Sequence, residues 1–247
     1  MKRSLKDLIS YKLSTKDGSN ASIIDFLFDE DAWVLRYLEA DFGNFFKDKR
    51  VLIPRVFLEE PDWEKKHFSL DINKDEFNKF PPLEKHMPVS REYETKLRQY
   101  FNIDYYWIQA NTSNIDVGLF PPRPLIPPAK SVKDDDIDSK LRSFNEVEGY
   151  RIKASDGTIG HVEDLIVDDA DWQIVYLIID TKNWLPWSKK VVLSLGWLDG
   201  INYPDQQVSI NLKVDTIKNA PDYDDLELNS KEAEKIMFDF YSRSMVK

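Results

Sequence analysis

The chain has 247 residues, a formal charge of −10 at pH 7 and a sequence pI near 4.9, so long-range repulsion disfavours direct binding of nucleic acid or anionic lipid. It contains no cysteine, which excludes disulfides, thiolate nucleophiles and thiolate metal sites. No window approaches the roughly 18 apolar residues of a membrane span, and the amino terminus lacks a secretory apolar core, so we expect a cytoplasmic protein without a transmembrane segment.

An internal repeat organises the sequence. Residues 25–48 and 164–187 share an Asp, an apolar triplet, an acidic turn, a Trp, a Tyr-Leu pair, another Asp and an Asn before an aromatic residue. A shift of 139 residues aligns the two copies, and it becomes 140 after a single one-residue adjustment. Because a repeat of this kind reveals the unit of folding, we predict two similar units at roughly 3–101 and 142–241.

Each repeat begins with short strands. An Asp-Gly pair at Asp17 and again at Asp156 is typical of a tight turn between apolar segments. In the second repeat, "LIVDD" and "WQIVYLIID" are β-branched and aromatic runs, and the acidic turn Asp168–Asp171 joins them as in a hairpin. "KVVLSL" and the alternating "VSINLK" predict two more strands, and so many short strands indicate a small barrel or sandwich.

Each repeat ends in a predicted amphipathic helix. The spacing i, i+4, i+7, i+8 recurs in both copies and forms one apolar stripe, at Tyr93, Leu97, Tyr100 and Phe101 and at Ala233, Met237, Phe240 and Tyr241. Ser90 and Ser230 precede the two helices as N-caps. The predicted fold class is therefore mainly β with short helices, α+β, with two small barrels that are each followed by an amphipathic helix.

A proline-rich linker separates the repeats. We divide the chain into a first barrel unit at 1–101, a linker at 102–141 and a second barrel unit at 142–247. The linker opens with "YYW", continues through "PPRPLIPP" and ends in a solvated charge run. We expect its aromatic and proline segments to pack across a barrel surface, although a disordered tether is the alternative.

The second repeat carries a family resemblance. Its stretch from Glu146 to Ser194 contains a Gly-Tyr opening, a DG-x-IG-x-V-x-D turn and strand, a W-x-x-x-YL-x-x-D strand pair and an NWLP-then-KVL-S ending. In these motifs the chain resembles the PRC-barrel family, which is named for the photosynthetic reaction centre H subunit and also occurs in a ribosome-maturation factor. The first repeat is a weaker copy, with Ala21 in place of Gly160 and Phe45 in place of Trp184.

The resemblance implies two compact, roughly six-stranded PRC-type barrels, and it implies function only loosely because one fold hosts many activities. The leading hypothesis is a non-enzymatic interaction or scaffold protein with no cofactor, whose partner is another protein or a second copy of itself. One alternative is an accessory subunit of a membrane electron-transfer complex resembling the photosynthetic reaction centre, which leaves peripheral membrane association open. Another is an adaptor of the ribosome-maturation type that binds ribosomal proteins rather than RNA.

The candidate partner-binding residues are aromatic and apolar, because such side chains dominate the energetics of protein interfaces. They come from the "NWLPW" loop of the second repeat and from the start of the linker, and they are Trp184, Leu185, Trp187, Tyr105, Tyr106 and Trp107. The alternative for the loop is that its aromatic residues close the end of the barrel or pack against the sister unit. Trp33 and Trp172 are predicted to be core.

Two further groups of polar residues are candidates for chemistry. No histidine is spaced with another ligand as a metal site requires, and we interpret His161 as an exposed strand residue, so no metal site is predicted. Paired carboxylates can split their pKa values and act as acid and base. Because these aspartates recur in both repeats at strand ends and turns, we favour a structural role in which they bond to backbone amides, namely Asp25, Asp29 and Asp41 with Asp164, Asp168 and Asp180. We therefore predict no catalytic residues.

Overall fold

A computed structural model describes residues 1–43, 50–77, 79–80, 89–106, 140–181, 189–224 and 226–244. These residues form two sheets and a few short helices, which confirms a mainly β protein with short helices. The strands are β1 (Lys2–Ser4), β2 (Lys12–Thr15), β3 (Asn20–Asp29), β4 (Val34–Asp41), β5 (Arg50–Pro54), β6 (His67–Leu70), β7 (Leu141–Ser143), β8 (Arg151–Ala154), β9 (Gly157–Asp168), β10 (Ile174–Asp180), β11 (Lys190–Ser194), β12 (Leu198–Asn202) and β13 (Gln207–Ile210). The helices are α1 (Leu5–Ile9), α2 (Lys74–Phe77), α3 (Arg91–Phe101), α4 (Phe144–Val147), α5 (Val214–Lys218) and α6 (Lys231–Ser244), with 3-10 turns at Arg55–Phe57 and Leu195–Trp197.

The described residues divide into two compact units. The first unit contains those from Asp7 to Tyr106 and from Lys140 to Phe144, and it carries the six-stranded sheet. The second unit contains Met1–Lys6 and the described residues from Asn145 onward, and it carries the seven-stranded sheet.

The two sheets share the order of five equivalent strands, and the second sheet has one further strand, β12, at the end of its main path. The first unit has the order β5-β4-β3-β2-β6, and the second has β11-β10-β9-β8-β13-β12. In each, one pair is parallel, β2 with β6 and β8 with β13, and the neighbouring pairs are antiparallel. The predicted closed barrels are not found within the described residues, because no ladder joins the two end strands of either sheet.

The first strand of each repeat pairs with the sheet of the other repeat. β1, at the start of the first repeat, lies antiparallel to β9, with Lys2 opposite Asp168 and Ser4 opposite Ile166. β7, at the start of the second repeat, lies antiparallel to β3 in the same way. The chain thus passes from the second unit to the first within α1, and back again within α4. The sequence boundaries at 101 and 142 describe the repeats, whereas packing divides the chain differently.

The central hairpins confirm the predicted pairs of apolar strands. β3 pairs with β4 and β9 with β10, and each of these four strands contributes several buried apolar side chains to the described cores. Trp33 and Trp172 are buried as predicted, but both have positive φ, 56° and 63°, which sequence periodicity did not indicate. Their amides donate to Asp29 and Asp168 carbonyls at 2.6 and 2.8 Å, so each hairpin turn closes in a left-handed conformation that is uncommon for a bulky residue.

The two long helices follow the predicted stripe with one exception. Ser90 and Ser230 accept hydrogen bonds from the amides of Tyr93 and Ala233 at 3.1 and 3.0 Å, so both N-caps are confirmed. Most of the stripe is buried or half-buried, but Tyr100 was wrongly assigned to it, because its side chain is 43% exposed. Among the described residues, no helix has the length and apolar character needed to cross a membrane.

Candidate functional site

Only two of the six predicted partner-binding residues lie in the part of the chain that the structure describes. Trp184, Leu185, Trp187 and Trp107 lie outside the described residues, so their assignment stays a prediction. Tyr105 and Tyr106 are described and half-buried in the first unit. Tyr106 contacts residues of its own unit, namely Glu94, Arg36 and Arg98.

Tyr106 covers a polar face of α3. Its hydroxyl donates to Glu94 Oε2 at 2.7 Å, and its ring lies under the guanidinium carbons of Arg36 and Arg98, 4.2 and 4.6 Å from the ring centroid. Such contacts favour an aromatic ring beside a cation, most strongly where water is excluded. Burial, reinforced by the Glu94 carboxylate, raises the pKa of Tyr106 above its ordinary value, so it stays a neutral donor. Tyr106 thus seals its own unit.

Glu94 and Arg98 link this face to the sheet. Both side chains are buried, and Glu94 also accepts from Arg91 Nη1 at 3.2 Å. Arg98 Nε donates to the hydroxyl of Tyr37 on β4 at 2.8 Å, and its Nη1 donates to the carbonyl of Asp104. A buried charge needs this density of partners, since an isolated one costs several kcal/mol. The apolar stripe of α3 did not predict this network of Glu94 and Arg98, because the stripe is defined by apolar residues alone.

The equivalent face of α6 in the second unit has different chemistry. At the shift of 140, Ile236 replaces Lys96 and Phe238 replaces Arg98. Ile236 is 41% exposed and Phe238 is 42% exposed, whereas Arg98 is buried. Glu234, the counterpart of Glu94, is also exposed and pairs with Lys2 at 2.9 Å. Two large apolar side chains therefore face solvent where the first helix carries cations.

Asp164 and Asp25 bind β1 and β7, the two strands that pair with the sheet of the other repeat and are called the exchanged strands below. Each is buried at the start of the apolar run of its hairpin, and each accepts a hydrogen bond from a serine hydroxyl of the incoming strand, Ser143 for Asp25 and Ser4 for Asp164. Each carboxylate also accepts the amide of the following residue, at 2.8 Å for Asp25 and 2.7 Å for Asp164. These bonds are those of the structural role that the recurrence in both repeats indicated.

Burial gives Asp164 an unusual acidity. Removal from water raises its pKa to about 6, although hydrogen bonds from Ser4, from the Lys6 amide and from the Leu165 amide act in the opposite direction. The side chain has no exposed path to a substrate in the second unit, because it is 5% exposed and its oxygens face these donors. Burial therefore accounts for the raised pKa of Asp164.

Three of the four remaining repeated aspartates cap turns, and the fourth, Asp180, is described below with His161. Asp29 and Asp168 accept amides two residues later, from Asp31 and Ala170, at 3.0 and 3.1 Å. Asp41 accepts the Gly43 amide at 2.7 Å. Bonds of this kind fix tight turns without any chemical role.

A buried carboxylate without a repeated counterpart lies in the first sheet. Glu39 on β4 is 3% exposed, and Arg50 Nη1 lies 3.3 Å from its Oε1. Burial raises the pKa of Glu39, and the nearby Arg50 opposes this rise. The repeat does not mark Glu39, because Ile178, an ordinary core residue, occupies the same place in the second repeat.

The stem of the "NWLPW" loop is tightly built. Thr181 donates its amide and its hydroxyl to the Lys189 carbonyl at 3.0 and 2.8 Å, which closes the strands on either side of the loop. Gly160 has φ +60° and lies against this stem, where an added Cβ would come 1.8 Å from the Asp180 carbonyl oxygen. Only glycine fits such an approach, so the second Gly of the DG-x-IG motif has a steric cause.

His161, Glu163 and Asp180 converge beside this stem. His161 and Glu163 are two residues apart on β9, and His161 lies directly opposite Asp180 of β10. One potential ligand atom from each lies within 4.8 Å of the others. No spacing in the sequence indicated this group, and the expectation of no metal site stays a prediction. Spacing could not reveal the cluster, because Asp180 comes from the neighbouring strand and strand register brings it there.

Glu163 occupies the centre of this cluster. Its Oε1 pairs with the ammonium groups of Lys6 and Lys190, each at 3.1 Å, while its Oε2 lies 3.7 Å from His161 Nε2. The two lysines hold the pKa of Glu163 below its ordinary range against the opposing effect of burial. The register changes between the pairs Ile178–Asp164 and Ile179–Val162, so Glu163 is the extra residue of a bulge in β9, and bulges redirect side chains.

Comparison with known families identifies one domain. Residues 140–217 match the PRC-barrel domain, a region that runs from β7 through α5 and covers less than half of the chain. The matched region thus begins with the strand that pairs with the first unit's sheet. A search of curated proteins found no match to this chain.

Proposed function

We propose that the protein is a non-enzymatic interaction protein that binds another protein through apolar anchors on its second unit. The observation that carries this proposal is the exposed pair Ile236 and Phe238 on α6, at positions where α3 has Lys96 and Arg98. Apolar side chains at solvent-facing helix positions are stabilised when a partner covers them.

The contrast between the helices indicates the chemistry of the partner. On α3, the covering group is an aromatic ring that follows in the chain, Tyr106, and the helix supplies Glu94 and Arg98 to hold it. On α6, the same positions present Glu234 beside Phe238. We therefore expect the partner to supply an extended segment with an aromatic side chain, which stacks on Phe238 while its polar edge bonds to Glu234.

The loop residues Trp184, Leu185 and Trp187 are proposed as a second anchor of the same interface. Their stem is fixed by Gly160 and by the Thr181–Lys189 pairing, and a fixed stem lowers the entropic cost of ordering a loop on binding.

We further infer that the first repeat is a diverged second copy of the PRC-barrel domain. The same strand order, the two buried aspartate–serine pairs and the left-handed Trp at each hairpin support this inference. Duplication then explains why only one copy carries the apolar helix face, since a second copy is free to lose it.

The test is affinity capture of the tagged full-length protein from its native cells, with quantitative mass spectrometry of the bound proteins. The variant Phe238→Arg restores the first repeat's residue, and Val56→Lys changes another exposed apolar residue as a matched control. A partner that is lost with Phe238→Arg and with Trp184→Ala, but retained with Val56→Lys, supports the proposal. Partners recovered equally with all variants would overturn it.

The identity of the partner separates the further roles. A membrane electron-transfer complex among the captured proteins would favour the accessory-subunit role, and ribosomal proteins would favour the maturation role. Recovery of the protein alone, with a Phe238→Arg variant that elutes at half the mass, would identify a second copy as the partner.

A further inference from the structure

We propose that His161, Glu163 and Asp180 form a binding site for one divalent transition-metal ion of the Zn²⁺ type. This inference is independent of the interaction function above. It rests on a convergence of ligands from two neighbouring strands within the second unit.

The ligand set fits a borderline metal. One imidazole nitrogen and two carboxylate oxygens are the donors that Zn²⁺ accepts, and three protein ligands with a water in the fourth position form a common arrangement. Imidazole disfavours Mg²⁺ and Ca²⁺, which prefer oxygen donors alone. The chemistry of the site therefore selects a transition ion over the abundant hard cations.

The geometry leaves space for an ion. His161 Nε2 and Glu163 Oε2 are 3.7 Å apart, which is too long for a hydrogen bond. Two ligands that share one tetrahedral metal at about 2.0–2.1 Å stand roughly 3.4 Å apart, so a small closure brings these atoms to metal distance. Asp180 Oδ lies within the same 4.8 Å limit, on the strand opposite His161.

The cluster stays open to solvent and keeps a ligand oxygen available. The side chain of His161 is 37% exposed and that of Glu163 is 19% exposed, so an ion can enter without unfolding. Lys6 and Lys190 pair with Oε1 of Glu163 and keep the carboxylate ionised, while its other oxygen, Oε2, faces His161. Their positive charges oppose a cation, and for this reason we expect micromolar rather than nanomolar affinity.

The first repeat provides an internal comparison. At the same positions it carries Ser22, Ile24 and Asp41, so it keeps only one of the three ligands. The fold does not require the His and Glu, because the first hairpin forms the same pairing without them. A bound ion would cross-link β9 to β10 at the stem of the "NWLPW" loop, a role that the first unit lacks.

The experiment is titration of the metal-free, full-length protein with ZnCl₂ by isothermal calorimetry at pH 7.5. Parallel Co²⁺ titration uses the visible absorption of a four-coordinate ion as a second signal. We expect one ion per chain, and at least tenfold weaker binding in His161→Ser and Glu163→Ile, which copy the first repeat's residues. His67→Ala is the matched control, because His67 bonds to Ser14 in the other unit and should not change the affinity.

Two further readouts make the test decisive. Lys190→Ala should bind Zn²⁺ more tightly, since one competing ammonium is removed. Circular dichroism of each variant establishes that it is folded. No Zn²⁺ binding by the wild-type protein at millimolar concentration, or equal binding by folded His161→Ser, would overturn the proposal.

Discussion

The two units share a strand order and differ on their outer surfaces. Both bury a repeated aspartate against a serine of the exchanged strand, and both close their central hairpin with a left-handed Trp. One helix is sealed by Tyr106 over a buried Glu94, whereas the other leaves Phe238 exposed. Features that both units need to fold are therefore retained in pairs, and features that only one unit has are candidates for function.

The largest expected effect distinguishes the two helix faces. Glu94→Ala removes the acceptor of Tyr106 and Arg91 and leaves buried donors without a carboxylate, so the first unit should lose about 3–5 kcal/mol of stability. Glu234→Ala is the matched control in the second unit, and its exposed pair with Lys2 should cost at most about 1 kcal/mol. Urea unfolding of both variants measures the difference, and equal losses would contradict the contrast.

The next effect concerns the glycine that stands where the first repeat has Ala21. Gly160→Ala places a Cβ against the Asp180 carbonyl in a left-handed conformation, so we expect a loss of about 3 kcal/mol. Gly18→Ala is the control, because Gly18 also has positive φ but has open space around it, and about 1 kcal/mol is expected. Thermal unfolding compares the two, and a cost for Gly160→Ala no greater than that for Gly18→Ala would remove the steric explanation.

A smaller effect depends on pH and isolates the exchanged strand of the second unit. The folded pKa of Asp164, about 6, lies above its ordinary value, so the folded state holds the proton more strongly than the unfolded state. Its contribution is fully present below pH of about 4 and is lost as pH rises through about 6, a change of roughly 2–3 kcal/mol. Asn can accept both amides and donate to Ser4, so Asp164→Asn should fold while losing this pH dependence.

Measurement of unfolding free energy between pH 4 and pH 8 tests this expectation. The difference between wild type and Asp164→Asn should shift in favour of the variant as pH rises. A constant difference across the range would mean that Asp164 does not titrate in the folded protein near pH 6.

The smallest effect on stability is expected at the apolar face of α6. Phe238→Arg exchanges an exposed side chain for the residue of the first repeat, and the free energy of unfolding should change by no more than about 0.5 kcal/mol. Urea unfolding beside the binding assay separates loss of partner from loss of fold. A large destabilisation would place Phe238 in the core and remove the basis of the proposed interface.

Local patterns predicted the elements within each repeat. The acidic turn between apolar runs identified the hairpins, and serine before a first-turn glutamate identified both N-caps, because these signals act over a few residues. Trp33 and Trp172 were predicted to be buried from their place in an apolar strand, but their left-handed backbone depends on the turn that each hairpin requires.

Long-range choices were beyond the sequence patterns. The sequences "KRS" at β1 and "LRS" at β7 are nearly the same, and each sheet has an aspartate that can accept a hydrogen bond from the serine. Local preference therefore cannot decide which sheet each strand joins. The site at His161 was missed for a related reason, since Asp180 reaches it only through the register of β9 with β10. The burial of charged residues such as Glu94 and Arg98 was missed, because the periodicity that predicts a buried helix face counts only apolar residues.

The exchanged strands make the covalent linker dispensable for holding the protein together. A cut anywhere between Tyr106 and Lys140 would yield two fragments, and each would still contribute one strand to the other fragment's sheet. Separation would then require peeling away β1 with its Ser4–Asp164 bond and β7 with its Ser143–Asp25 bond. The nicked protein should therefore behave as a complementing pair of fragments that stay associated without a covalent connection.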